Sequence, residues 1–219
     1  MSTDFSKVQL ERLYVTDKLS SKEIATKFNC SENKINYWMR KYQIPKRTIA
    51  DAVYQKLNPH GNPFKETSID SLSDAFLLGL GTGLFWGEGN KRDKNTVRLG
   101  NSDPDLMRAF LFFLENRFQI SRHRLRFGLQ VFSDMDYKRT EKFWIDKLSL
   151  ESTQFYKTVI TVSGKIGTYT QKTEYGVLTI YFHNKKLRDL IVGQIDNLRK
   201  IDYHSDVLLI EEKADVAQG

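Results

Sequence analysis

Three glycines spaced four residues apart within one helix-length apolar stretch constrain this chain more than any other feature. In LSDAFLLGLGTGLFWGEGNKRDKNTVRLGNSD, which begins at Leu72, the residues Gly79, Gly83 and Gly87 share one helical face, and Phe76, Leu80 and Leu84 run beside them. An interior glycine costs a helix close to 1 kcal/mol relative to alanine, so the stripe costs about 2–3 kcal/mol. A partner packed against the bare face offsets such a cost, because small residues at i and i+4 let two backbones approach closely. That partner is either an identical helix of a second chain or another element of the same chain.

The nine residues that end this helix, GTGLFWGEG from Gly81 to Gly89, resemble the signature of the LAGLIDADG homing endonucleases. Gly83, Leu84, Gly87, Glu88 and Gly89 fit it, whereas Gly81, Thr82 and Trp86 depart from its consensus. The resemblance implies that two such helices pack together, with Gly79, Gly83 and Gly87 at the interface. One motif per chain then implies a homodimer. It also implies that Glu88 lies over the scissile phosphates of double-stranded DNA and holds a divalent metal. A carboxylate is a hard oxygen ligand suited to Mg²⁺, and two at a two-fold axis can share metals poised for in-line attack on a phosphodiester. A basic residue near Glu88 would stabilise charge on the transferring phosphate, and Lys91, Arg98 and Lys157 are the candidates by type. The sequence does not choose among them. The other reading of Glu88 is a residue of a catalytically inactive copy of the fold, as in transcription regulators with a LAGLIDADG-like domain.

The first 48 residues read as a small helical domain. Leu10, Leu13 and Tyr14 fall at i, i+3, i+4 between Asp4 and Leu19, which predicts a first helix. Ser20 stands three residues before Glu23 in a capping-box spacing, so a second helix starts there, with Ile24, Ala25 and Phe28 facing inward. It stops at Asn29, a residue that tolerates the left-handed conformation of a tight turn. Ser31 can cap a third helix, in which Ile35, Trp38, Met39 and Tyr42 follow one another at i, i+3, i+4, i+7. Two helices joined by such a turn, the second polar and basic on its outer faces, fit a helix into the major groove.

The stretch SSKEIATKFNCSENKINYWMRKYQI resembles the helix-turn-helix of resolvases, transposases and small transcription factors, although Asn29 stands where the family most often has glycine. The resemblance implies that Ser31, Asn33, Lys34, Asn36 and Tyr37 reach base edges or phosphates, and that Arg40, Lys41, Lys46 and Arg47 neutralise backbone phosphates. The plainer alternative is a helical protein-interaction module whose charges keep it in solution.

From Pro45 the pattern changes to loop chemistry, with a short helix through Leu57 and then Asn58, Pro59, Gly61 and Pro63. The expected division is therefore a helix-turn-helix domain over 1–48, a linker over 49–70, a larger domain over 71–202 and a polar tail over 203–219. Within the larger domain, Thr96 to Asn101 reads as a strand and Asp103-Pro104 as a helix start. Leu125, Phe127, Leu129 and Val131 alternate with Arg124, Arg126, Gly128 and Gln130 in the clearest strand. A helix from Asp136 to Leu148, strands over Phe155–Val162 and Tyr175–Phe182, and a last helix capped by Asn184 complete the order. The expected fold class is α+β: a three-helix helix-turn-helix domain, then a LAGLIDADG-like mixed α/β domain with an antiparallel DNA-binding sheet. The helix from Asp136 interrupts the simplest version of that order. The resemblance places Arg98, Arg124, Arg126, Gln130, Lys157 and Lys172 on DNA.

Composition agrees with a polyanionic partner. The formal net charge is +7 and the isoelectric point about 9.3. The single cysteine, Cys30, excludes an internal disulfide framework and a Cys-rich zinc site, and a cytoplasmic setting is expected. The longest apolar run is broken by glycines and too short to span a bilayer, so no membrane role is expected. The four histidines show no metal-ligand spacing.

Overall fold

The computed structural model describes residues 5–163 and 174–202, so Lys172 and the tail expected from residue 203 lie outside the described residues. The chain divides into two compact units, Met1–Gly61 and Asn62–Gly219. Together the described residues form eight α-helices and one four-stranded mixed sheet, an α+β arrangement.

In the first unit, α1 (Lys7–Glu11) continues into a wider π-helical turn, Arg12–Thr16, in which the Asp17 amide reaches back five residues to the Arg12 carbonyl at 2.8 Å. The helix expected to run to Leu19 ends earlier because Lys18 adopts a left-handed φ of 59°. Next come α2 (Ser21–Lys27) and α3 (Glu32–Lys41), separated by a turn in which Asn29 takes a φ of 49°. Their inward residues Ile24, Ala25, Ile35, Trp38 and Met39 close over Leu10, Leu13 and Tyr14. The helix starts are as the capping residues demand. The Glu23 amide donates to Ser20 Oγ at 3.2 Å, while the Ser20 amide donates to Glu23 Oε2 at 2.7 Å.

Those two Ser20 groups hold the Glu23 carboxyl below its usual range. Because the folded value is the lower one, this contribution is present above the unfolded carboxylate range and fades as pH falls through it. Ser20→Ala is expected to lower the stability of the first unit by about 1 kcal/mol at neutral pH, with a smaller deficit in acid, measured by urea unfolding.

The expected linker is divided between the two units. Its beginning forms α4 (Ile49–Leu57), capped by Thr48 and tied to the first unit by Gln55 Nε2 donating to the Lys18 carbonyl at 2.8 Å. Its later part belongs to the second unit. The Lys65 and Thr67 amides donate to the carbonyls of Phe118 and Arg117 at 2.9 and 3.0 Å. Arg117 is only 4% exposed and pairs with Glu66 at 2.6 Å and Thr67 Oγ1 at 3.0 Å. A buried guanidinium requires such partners, which is why this segment is held rather than free.

The second unit then runs α5 (Leu72–Glu88), β1 (Val97–Asn101), α6 (Pro104–Phe118), β2 (Arg126–Phe132), α7 (Tyr137–Leu148), β3 (Val159–Thr161), β4 (Val177–Phe182) and α8 (Lys185–Leu198). The sheet order is β1-β4-β2-β3. β4 pairs antiparallel with both β1 and β2, but β2 and β3 are parallel. The expectation of an antiparallel sheet is thus corrected, and α7 is the reason. A helix between two strands carries the chain back to the starting end, so the second strand runs in the direction of the first. Of the strand expected over Phe155–Val162, three residues form β3, and Phe155 makes an isolated parallel bridge to Phe127.

One face of the sheet carries Val97, Leu99, Phe127, Leu129, Val131, Leu178, Ile180 and Phe182, all buried against the four helices. The alternation in β2 therefore divides its residues as the sequence indicates. The helices α5 and α6 approach closely at Gly81. A Cβ there would fall 2.0 Å from Phe113 Cγ, so this glycine admits the aromatic ring of α6 against the backbone of α5. No helix among the described residues is long and apolar enough to cross a membrane.

Candidate nucleic-acid interface

The glycine stripe of α5 faces away from its own unit. A Cβ built on Gly79, Gly83 or Gly87 meets nothing within 4 Å, and the same face exposes Leu72 (87%) and Phe76 (68%). Among the described residues these glycines serve no internal crossing. Gly81 does that on the opposite face, with buried Thr82, whose hydroxyl donates to Gln194 Oε1 at 3.2 Å, and Phe85, stacked on Phe110 at 6.2 Å. Leu84, expected beside the stripe, packs against the core instead.

Glu88 is the last residue of α5 and is exposed. The carbonyl end of a helix carries partial negative charge, which disfavours a carboxylate and favours a cation beside it. Lys91 supplies one such cation, donating from Nζ to the Trp86 carbonyl at 2.6 Å. Gly89 then bridges to Leu99, and the Asn90 amide donates to the Arg98 carbonyl at 2.8 Å, so the chain leaving Glu88 joins the free edge of β1.

The turn that follows is clamped from α8 by Arg188, a residue that no local sequence signal marks. Its guanidinium donates to the carbonyls of Lys91 at 2.6 Å and Asp93 at 3.1 Å. Arg188→Ala is expected to speed amide exchange of residues 91–95 about tenfold or more while leaving α8 protected, since each charge-assisted bond lost weakens the turn. Unchanged exchange in that turn would contradict the clamp.

The other face of the sheet is accessible, for none of its residues is buried. Arg98 and Arg126 both register against Tyr181, making an Arg–Tyr–Arg row across β1, β4 and β2. The next row is Gly100–Thr179–Gly128, and beyond it Gln130 pairs with Val177 and Val159. Among the described residues, no strand contains Asp or Glu. The structure therefore brings the expected Arg98, Arg126 and Gln130 onto one face. Arg126 also donates to the His123 and Leu125 carbonyls, both at 2.9 Å, and the Arg98 guanidinium lies 5.1 Å from the Tyr181 ring centre. Arg124, expected in the strand, is exposed in a 3₁₀ turn just before it, and Lys157 is exposed between the Phe155 bridge and β3. Tyr156, Tyr181 and His183 join this face without having been singled out in the sequence. The parity of β4, which sends 177, 179 and 181 outward, is the signal that could have found Tyr181.

In the first unit, Asn33, Tyr37, Arg40 and Lys41 are exposed on α3, with Lys41 Nζ 4.3 Å from the Trp38 ring centre, and Lys46 is exposed beyond the helix. Ser31 caps the helix by accepting from the Lys34 amide at 3.3 Å. Lys34 Nζ lies 5.8 Å from the Phe5 ring. Asn36, expected at base edges or phosphates, is half-buried, with its side-chain oxygen fully buried. Arg47, expected on phosphate, is half-buried and held within the unit. It donates to the Lys18 carbonyl at 2.9 Å and to Gln55, and it stacks 4.2 Å from the Tyr14 ring centre.

A Mg²⁺ ion requires about six oxygen ligands in octahedral array. Among the described residues no group of three or more Asp, Glu, His or Cys side chains converges on one point, and Glu88 is the carboxylate at the end of α5. The donors at the end of α5 do not by themselves complete such a set within one chain. Comparisons of the chain with protein-family models, curated proteins and solved structures find no match.

Proposed function

We propose that this chain is a homodimeric double-stranded DNA-binding protein with divalent-metal-dependent endonuclease activity, its two copies joined along the glycine faces of α5. The observation that carries this reading is the outward glycine stripe of α5, which has open space over Gly79, Gly83 and Gly87 and ends on Glu88. Two such helices packed in parallel would bring two carboxylates together at one end of the pair.

On this reading α3 enters a groove as the second helix of a helix-turn-helix, with Asn33 and Tyr37 toward base edges and Arg40, Lys41 and Lys46 toward phosphates. The acid-free sheet face, with Arg98, Arg126 and Gln130, tracks the backbone of the same duplex. Glu88 from each copy would hold Mg²⁺, which when bound activates water and screens phosphate charge. The helix end orients both carboxylates, and Arg188 fixes the turn that carries Lys91. A transcription regulator using the same surfaces without chemistry is the second reading. It is favoured by the Lys91 ammonium being committed to the Trp86 carbonyl.

The test is a duplex titration followed by a nicking assay on supercoiled plasmid carrying the DNA that flanks this chain's own gene, with Mg²⁺ or Mn²⁺. Salt-sensitive binding with metal-dependent cutting is expected. Binding without cutting in either metal assigns the regulator reading, and no salt-sensitive affinity for any duplex overturns both.

A further inference from the structure

We infer that Tyr156 and His183, on the open face of the sheet, form a stacking site for an unpaired nucleobase, an inference that rests on the DNA-binding reading. Tyr156 is 44% exposed, yet it is held at three points. Its amide donates to the Phe127 carbonyl at 2.7 Å, its hydroxyl lies 2.7 Å from His183 Nε2, and its ring meets Tyr181 edge to face at 5.5 Å. His183 is exposed and is fixed at both nitrogens, with Nδ1 3.1 Å from the buried Thr96 hydroxyl. Hydroxyls donate or accept, so the pair stays fixed whichever imidazole nitrogen carries the proton.

Aromatic side chains this restrained are ordinarily buried in a core. Here they are immobilised in contact with solvent, so a flat ligand stacks on them at little further cost in side-chain entropy. The surroundings specify which flat ligand. Arg98 and Arg126 flank Tyr181 in register, and the four strands contain no carboxylate, so the face attracts a phosphate-bearing chain. The neighbouring Gly100–Thr179–Gly128 row raises no large side chain, which lets that chain come close to the sheet. A continuous duplex presents base edges in its grooves and keeps base faces stacked. Exposed aromatic rings therefore match a base that has left the stack, and a base of any identity has a face to stack on them.

The experiment compares the full chain on a mixed-sequence duplex and on the same duplex carrying one extrahelical 2-aminopurine, following anisotropy and 2-aminopurine emission at fixed salt. The bulged duplex is expected to bind about tenfold more tightly, with quenched emission, as one stacked base contributes. Tyr156→Ala should erase the quenching and bring the affinities for the two duplexes together. Tyr156→Phe, which keeps the ring and loses the hydroxyl bond, should retain most of both and so separates stacking from hydrogen bonding. Equal affinity for the two duplexes without quenching overturns this inference and leaves the DNA-binding reading standing. So does a preference that survives Tyr156→Ala in a variant whose circular dichroism is unchanged. No salt-sensitive binding to either duplex overturns both.

Discussion

Glu88→Gln is expected to abolish metal-dependent DNA cleavage, by at least about 100-fold, while duplex affinity is retained or rises. Even groups that act only through a metal's ligands change activity or affinity about 10–100-fold when removed, so losing the ligand itself costs at least the upper end of that range. Affinity moves the other way because the carboxylate at the end of α5 is exposed and repels phosphates. The gain should be clearest at low ionic strength, where surface charges are least screened. The change is isosteric and Glu88 itself is exposed, so the fold is expected to be unaffected. Cleavage by the variant within tenfold of the wild-type rate would remove Glu88 from the chemistry.

The glycines of α5 should divide into two classes with opposite effects. Gly81→Val is expected to destabilise the second unit by about 3 kcal/mol, because even its Cβ would stand 2.0 Å from Phe113 Cγ, inside a fully buried ring. Phe113 has no free volume into which to retreat, since Phe110 and Phe118 pack on it at 5.8 and 5.2 Å. The test of the outward face is Gly83→Leu, two residues away, where a Cβ meets nothing within 4 Å. It should raise the stability of the isolated protomer by about 0.8 kcal/mol through helix propensity and disrupt the proposed pairing of two α5 helices. Urea unfolding together with sedimentation at several concentrations separates the two outcomes. Equal destabilisation at both positions would mean that the outward face is packed within one chain, and unchanged self-association of Gly83→Leu would place any dimer contact elsewhere.

This division among the glycines marks how far the sequence could be read. The four-residue spacing of Gly79, Gly83 and Gly87 identifies one bare helical face, but Gly81 looks from sequence like a departure from a motif. Only the packing of α6 makes it the glycine whose lack of a side chain the protomer needs. Arg47 is a similar case. A basic residue after a basic helix reads as a phosphate ligand, whereas its guanidinium spans Lys18, Gln55 and Tyr14 inside the first unit.

What the sequence by itself determined is whatever depends on neighbours along the chain. The capping of α2 by Ser20, of α3 by Ser31, of α6 by Asp103 and of α8 by Asn184, the left-handed turn at Asn29, and the buried alternation in β2 all follow from contacts within a few residues. The tertiary structure alone decided what joins distant parts of the chain. It ran β3 parallel to β2 across α7, reached from α8 to Lys91 and Asp93 through Arg188, and set Thr96, Tyr156 and His183 together on the sheet. Side chains 27 to 97 residues apart leave no periodic trace of one another, because their proximity arises from the burial of a shared core and from strand register rather than from any local preference.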